Sequence, residues 1–384
     1  MAEFLYAHTR LITALFYAVC GICLALYAIF FALALRPKRG TLEWIALYDR
    51  PGLQLGAARH PLRPIVLLPA LGAAILSGAL YCLAICLQLR SFELFRSPDG
   101  LRLLLTGAAV VALTACGGCL LLQSLFGSYG LAFAGALLFG LDLGADYAAV
   151  ACLVWSLFFL HRWMAADFEQ KARRSFPALI GLALMLSLCA TLAMDLIPLV
   201  FFLILAVVLA AILRLKRTHR LDRFAGFFGS LILFALSFLA GLVLLQIALT
   251  LRSGNAEALR TPLFYLNALL SWLIYHGNPA NFQLLSPAVN LPLCALGAVG
   301  LVFSLYDLRR YGKSYGLLLL FAVLGGVFTA LLCGVYILTA TLIPAAVYTF
   351  ARAAGRDRYG LAAAGLIGAF VSTLIYTLLL VGVF

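Results

Sequence analysis

Apolar runs separated by short polar links pattern the chain from Leu11 to Phe384. Most are roughly 18 to 25 residues long, which as helices at about 1.5 Å per residue is enough to cross a hydrocarbon core of about 30 Å. A membrane barrel would instead need strands of about 10 residues with alternating polarity, and no such alternation is present. The runs predict spans over Leu11–Leu35, Ile65–Leu87, Leu103–Leu125, Ala145–Leu160, Phe224–Leu249, Ala288–Tyr306, Tyr315–Cys333, Val335–Phe350 and Gly360–Phe384. The stretch Phe176–Leu213, broken by Asp195 and Pro198, adds a tight hairpin of two more. The expected fold is therefore all-α, a single polytopic transmembrane domain over 1–384 with about eleven membrane helices.

Two stretches depart from this pattern. Leu131–Leu160 is long for one span and short for two, and Gly140–Asp146 (GLDLGAD) interrupts it. A short re-entrant or surface helix followed by a span from about Ala145 is the expectation there. The segment 250–285 is polar overall, but Pro262–His276 (PLFYLNALLSWLIYH) has the composition of an interfacial amphipathic helix.

Composition agrees with the membrane reading. Of 384 residues 65% are hydrophobic and only 11% charged, outside the range of water-soluble domains. A nucleic-acid partner is not expected. The N-terminal run follows a single basic residue, is too long for a signal core and lacks a small-residue cleavage site, so it reads as a retained span. All ten cysteines fall in apolar runs. Pairs such as Cys116/Cys119 have helical spacing, but with no histidine or acid nearby they read as packing residues.

The links carry the charge. With the N-terminus cytoplasmic, 19 of the 27 Lys and Arg residues fall on the inner side, as the positive-inside rule requires. The C-terminus then lies outside, and the expected location is a cell inner membrane. One loop defies the rule: 36–64, expected to be outer and to hold juxtamembrane helices, carries Arg36, Lys38, Arg39, Arg50, Arg59 and Arg63. On the same outer face this topology places Glu43, Asp49, Asp142, Asp146 and Asp195, with 250–285 as a second outer segment. Asp195, inside an apolar run, escapes most of the cost of a charge in the bilayer if it sits at the hairpin tip. His8, His161 and His219 fall in inner polar links and read as solvated.

A carboxylate can take a proton from a hydroxyl, and arginines can neutralise a departing phosphate. Carboxylates and a guanidinium cluster at one membrane surface therefore suit transfer of a group from a lipid phosphate. The layout resembles the GT-C class of integral-membrane glycosyltransferases, which use polyprenyl-phosphate-linked sugars at the outer face. The resemblance rests on the loop with Glu43 or Asp49 leading to His60-Pro61-Leu62, on Asp146-Tyr147 opening a later span, and on the hairpin tip Asp195-Leu-Ile-Pro198. By layout it covers roughly Leu11–Arg252, and the paired acids usual early in the family's loop are replaced by Glu43 and Asp49, five residues apart in between.

The resemblance implies a GT-C-like fold with Glu43, Asp49 and Asp146 as catalytic carboxylates. It implies Arg50, Arg59, His60, Arg63 and Asp195 as substrate-binding residues, with a divalent cation as a conceivable cofactor. The partners implied are membrane lipid, a polyprenyl-phosphate-sugar donor, and a glycan, lipid or protein acceptor. Two other classes fit the same sequence: a non-catalytic GT-C-like structural or assembly subunit with membrane-complex partners, and a small-solute or lipid transporter.

Overall fold

A computed structural model describes residues 18, 22, 64–89, 97–141, 147–164, 172–192, 194–218, 222–253, 264, 267, 270, 290–311, 315–333, 337–354 and 359–383. Among these it contains eleven α-helices and two short 3-10 turns. The helices are α1 Leu67–Leu89, α2 Pro98–Phe126, α3 Tyr129–Leu141, α4 Tyr147–Met164, α5 Ala172–Leu192 and α6 Ile197–Thr218. They continue with α7 Asp222–Ser253, α8 Leu291–Tyr311, α9 Tyr315–Cys333, α10 Leu338–Ala354 and α11 Tyr359–Val383. Six of these segments are long and apolar enough to cross a membrane. The chain is an all-α, multi-pass membrane protein, as its apolar runs require.

The helices start and stop for local reasons. Ser97 caps α2 by accepting the Gly100 N–H (3.1 Å), with Pro98 at the first helical position. Gly127 ends α2 in the left-handed region (φ 73°), a conformation glycine adopts without steric cost. That turn sends the chain straight into α3. Asn290 opens α8 by accepting the Leu293 N–H (3.4 Å) on its side-chain oxygen.

The expectation for 131–141 is corrected by the structure. α3 is not on the surface: it packs against α1, α2, α10 and α11, and Ala132, Ala136, Leu138 and Phe139 are almost wholly buried. It runs antiparallel to α2, because a Cβ at Gly118 would meet Phe139 and one at Gly135 would meet Leu122. α4 then runs parallel to α2. The Trp155 indole N–H donates to the Leu113 carbonyl (3.2 Å), and further along His161 reaches Ser124 (3.2 Å). At the other end Tyr147 sits edge-on to Tyr81 (centroids 5.3 Å), whose ring in turn lies against Gly107. The chain therefore crosses the bundle twice between Phe126 and Met164. Hydropathy counts only one crossing because α3, at 13 residues, is about 20 Å long, and is shielded from lipid by its neighbours.

Following the helices in order assigns every link to one of two ends. The first end holds the start of α1 at Pro64, the α2/α3 turn, and the α4/α5, α6/α7, α8/α9 and α10/α11 links. The second holds the α1/α2, α3/α4 and α5/α6 links, the end of α7, Asn290 and the α9/α10 link. The α6–α9 seam agrees: Asp195, just before α6, lies within electrostatic reach of Cys333 at the end of α9, while Phe202, further along α6, meets Phe328, earlier in α9 (4.9 Å), so the two helices run antiparallel.

The core is built on close helix approach at small residues. A Cβ on Gly300 would overlap the Ala345 carbonyl, and one on Gly297 would press on the backbone of Leu342, so α8 and α10 touch almost backbone to backbone, as membrane helices do at small residues. The outside is apolar. α1 exposes Leu68 and Ile75, and α7, packed mainly on α5 and α6, exposes Ile232, Leu236 and Leu244, as lipid-facing helices must.

Candidate functional site

The parallel packing of α8 and α10 at Gly297 and Gly300 sets a register in which Asp307, near the end of α8, meets Arg352, near the end of α10. Arg352 Nη2 lies 3.4 Å from Asp307 Oδ1. The Tyr348 hydroxyl donates to Asp307 Oδ2, and the Tyr315 hydroxyl donates to the Tyr348 oxygen (3.0 Å). The guanidinium stands over the Phe303 ring (4.3 Å to the centroid) and near that of Tyr306 (5.7 Å), which gives it cation–π support where water is scarce. Phe126, at the end of α2, packs on Tyr348 (5.8 Å).

This centre joins α8, α9 and α10 at the first end of the bundle. Asp307 is 3% exposed, so its charge is compensated by a cation and a hydroxyl rather than by solvent. A carboxylate in that position is costly unless paired, which accounts for the convergence of three helices on it. Arg352 Nη1 is buried and makes no hydrogen bond. The centre can hold the helix ends in register and keep a cation at the end of the bundle.

His161, expected in a solvated link, is a correction. The last turn of α4 extends through it, and the side chain is 1% exposed. Its Nε2 faces the Ser124 carbonyl, which only accepts, so that nitrogen carries the proton.

At the second end Asn290 makes the corresponding tie. Its backbone N–H donates to Thr339 Oγ1 (3.3 Å) and its side-chain amide to Thr373 Oγ1 (3.3 Å). All three residues are buried.

Of the residues expected to form a site, Glu43, Asp49, Arg50, Arg59, His60, Arg63 and Asp146 lie outside the described residues. Asp195 is described. It sits in the 3-10 turn Met194–Leu196 at the hairpin tip, exposed, within electrostatic reach of Cys333 at the end of α9. The tip is thus where the interrupted apolar run puts it, and it occupies the second end, whereas Pro64, which follows the first loop, opens α1 at the first end.

Among the described residues no three His, Cys, Asp or Glu side chains stand together as metal ligands. The described cysteines are free thiols, buried or half-buried in the helix contacts. Asp307 was not singled out by sequence reasoning, because it lies two residues before the basic Arg309-Arg310 pair and reads as part of a solvated link. The signal that could have found it is an acid one turn inside the end of an apolar helix, with a Tyr and an Arg four residues apart on a later one. No protein-family model matches the chain, and no curated protein is similar to it.

Proposed function

We propose that this chain is a multi-pass glycosyltransferase of a cell inner membrane that takes a sugar from a polyprenyl-phosphate donor. One observation carries the reading: Pro64, where the loop with Glu43, Asp49 and its arginines joins the bundle, opens at the same end as the Asp307–Arg352 centre and the arginine-bearing links. That end gathers cations at headgroup depth, where the phosphate of a lipid donor lies. A neighbouring carboxylate supplies the base.

In this reading Asp49 or Glu43 takes the proton from an acceptor hydroxyl as its oxygen attacks the anomeric carbon. The bond from that carbon to the phosphate oxygen breaks, and polyprenyl phosphate leaves with its charge met by Arg50, Arg59 and Arg63, with His60 beside it. Asp146 serves as a second carboxylate, and Asp195, in the turn at the second end, falls outside this step. The acceptor is a glycan, lipid or protein.

The test is transfer of labelled sugar from a polyprenyl-phosphate donor in membranes holding the full chain. Asp49→Asn or Glu43→Gln should lower transfer at least a hundredfold, on the order of the usual contribution of a general base. Wild-type transfer by both variants defeats the reading. An assembly subunit is the second reading, favoured by the wide apolar face of α7, which could receive a partner helix as well as lipid.

A further inference from the structure

We propose that the arginine-rich first end of the bundle is the cytoplasmic face, so that the loop 36–63, which leads into Pro64, lies on the inside. The sidedness does not rest on the transferase reading.

Because α3 and α4 both cross the bundle, every link before α3 changes sides relative to every link after it. The loop 36–63 contains no apolar run long enough to cross a bilayer, so it stays at the end where Pro64 opens. It then joins the α4/α5 link (Arg162, Lys171, Arg173, Arg174), the α6/α7 link (Arg214 to Arg223), the α8/α9 link (Arg309, Arg310, Lys313) and the α10/α11 link (Arg352, Arg356, Arg358). Twenty-one of the 27 basic residues are at this end. The six others, Arg10, Arg90, Arg96, Arg102, Arg252 and Arg260, are at the second end or lead to it.

Lys and Arg in short links are retained on the cytoplasmic side during insertion, and the anionic lipid of that leaflet attracts them afterwards. With one crossing between Phe126 and Met164 the first loop is an exception that needs a special cause. With two crossings it obeys the same rule as the other links.

The acids do not share this bias: Glu43, Asp49, Asp167, Glu169, Asp222, Asp307 and Asp357 belong to first-end segments, and the other seven belong to second-end ones. The asymmetry therefore lies in Lys and Arg, the residues the insertion rule counts.

The experiment uses full-length protein in sealed vesicles and a membrane-impermeant maleimide. Gly56→Cys, in the first loop, and Gly254→Cys, after α7, are labelled separately against the wild-type background. Inverted vesicles should label Gly56→Cys at least tenfold more than right-side-out vesicles, and Gly254→Cys should show the reverse preference. Reaction of Gly56→Cys from the outside, or of both variants from one side, overturns the inference. A protease-cleavage sequence inserted at Gly56 reports without thiol chemistry: cutting in inverted vesicles alone agrees with the inference, and cutting in right-side-out vesicles refutes it. If labelling follows the inference while Asp49→Asn and Glu43→Gln transfer sugar normally, the transferase reading falls and the sidedness stands. Outside labelling combined with lost transfer has the converse meaning.

Discussion

Asp307 and Arg352 stand 3.4 Å apart although 44 residues separate them in the chain, because two glycines let α8 and α10 run side by side in a fixed register. The pair is enclosed by Phe303, Tyr315 and Tyr348, and its strength comes from that enclosure. Removing one partner strands the other in a poorly solvated place. Asp307→Asn or Arg352→Met should therefore destabilise the protein by about 3 to 5 kcal/mol. The double variant Asp307→Asn/Arg352→Met should lose less than the sum of the two. Thermal unfolding in detergent, arranged as a double-mutant cycle, measures this, and simple additivity would contradict it.

The tyrosine chain predicts a graded pair of effects. Tyr348→Phe takes a donor from a buried carboxylate and should cost about 1 to 3 kcal/mol. Tyr315→Phe removes only the outer link and should cost less, about 0.5 to 1.5 kcal/mol. Melting temperatures of the two variants, compared in one detergent, should keep that order.

Close approach at Gly300 makes a second region sensitive. Gly300→Ala sets a methyl against the Ala345 carbonyl and should destabilise by about 1 to 3 kcal/mol, as overpacking does. Gly368→Ala in α11 meets open space, so it should be neutral or gain up to about 1 kcal/mol from helix propensity. Equal melting temperatures for the two would refute the packing argument.

Asn290 should behave as both cap and tie. Asn290→Ala loses the bond to Leu293 N–H and leaves Thr373 without the amide. The expected loss is about 1 to 2 kcal/mol. Faster hydrogen exchange confined to the first turn of α8 would identify the cap as its source, and unchanged exchange there would argue against it.

Much of the helical plan could be read from residues alone. The hairpin 176–213, with Asp195 at its tip, was readable because an acid and a proline interrupt an otherwise continuous apolar run, and the structure puts the turn there. α3 was not readable as a crossing, since hydropathy measures what lipid requires and α3 is lined by protein. The same cause hid His161 and Asp307: each sits beside basic residues that suggest solvent, and each is buried by a partner helix distant in sequence. Local composition shows where a link begins, and only packing shows whether its first turn is wet.

The shortness of α3 has a consequence for how the protein is made. A thirteen-residue helix spans too little of a hydrocarbon core of about 30 Å to partition into it as an independent unit. It has to enter the bilayer together with α2 or α4, as one arm of a hairpin whose longer arm supplies the transfer free energy. Biogenesis of this protein thus contains an obligatory cooperative insertion step, and lengthening or polarising the α2/α3 turn at Gly127 would act on that step before it acted on the finished fold.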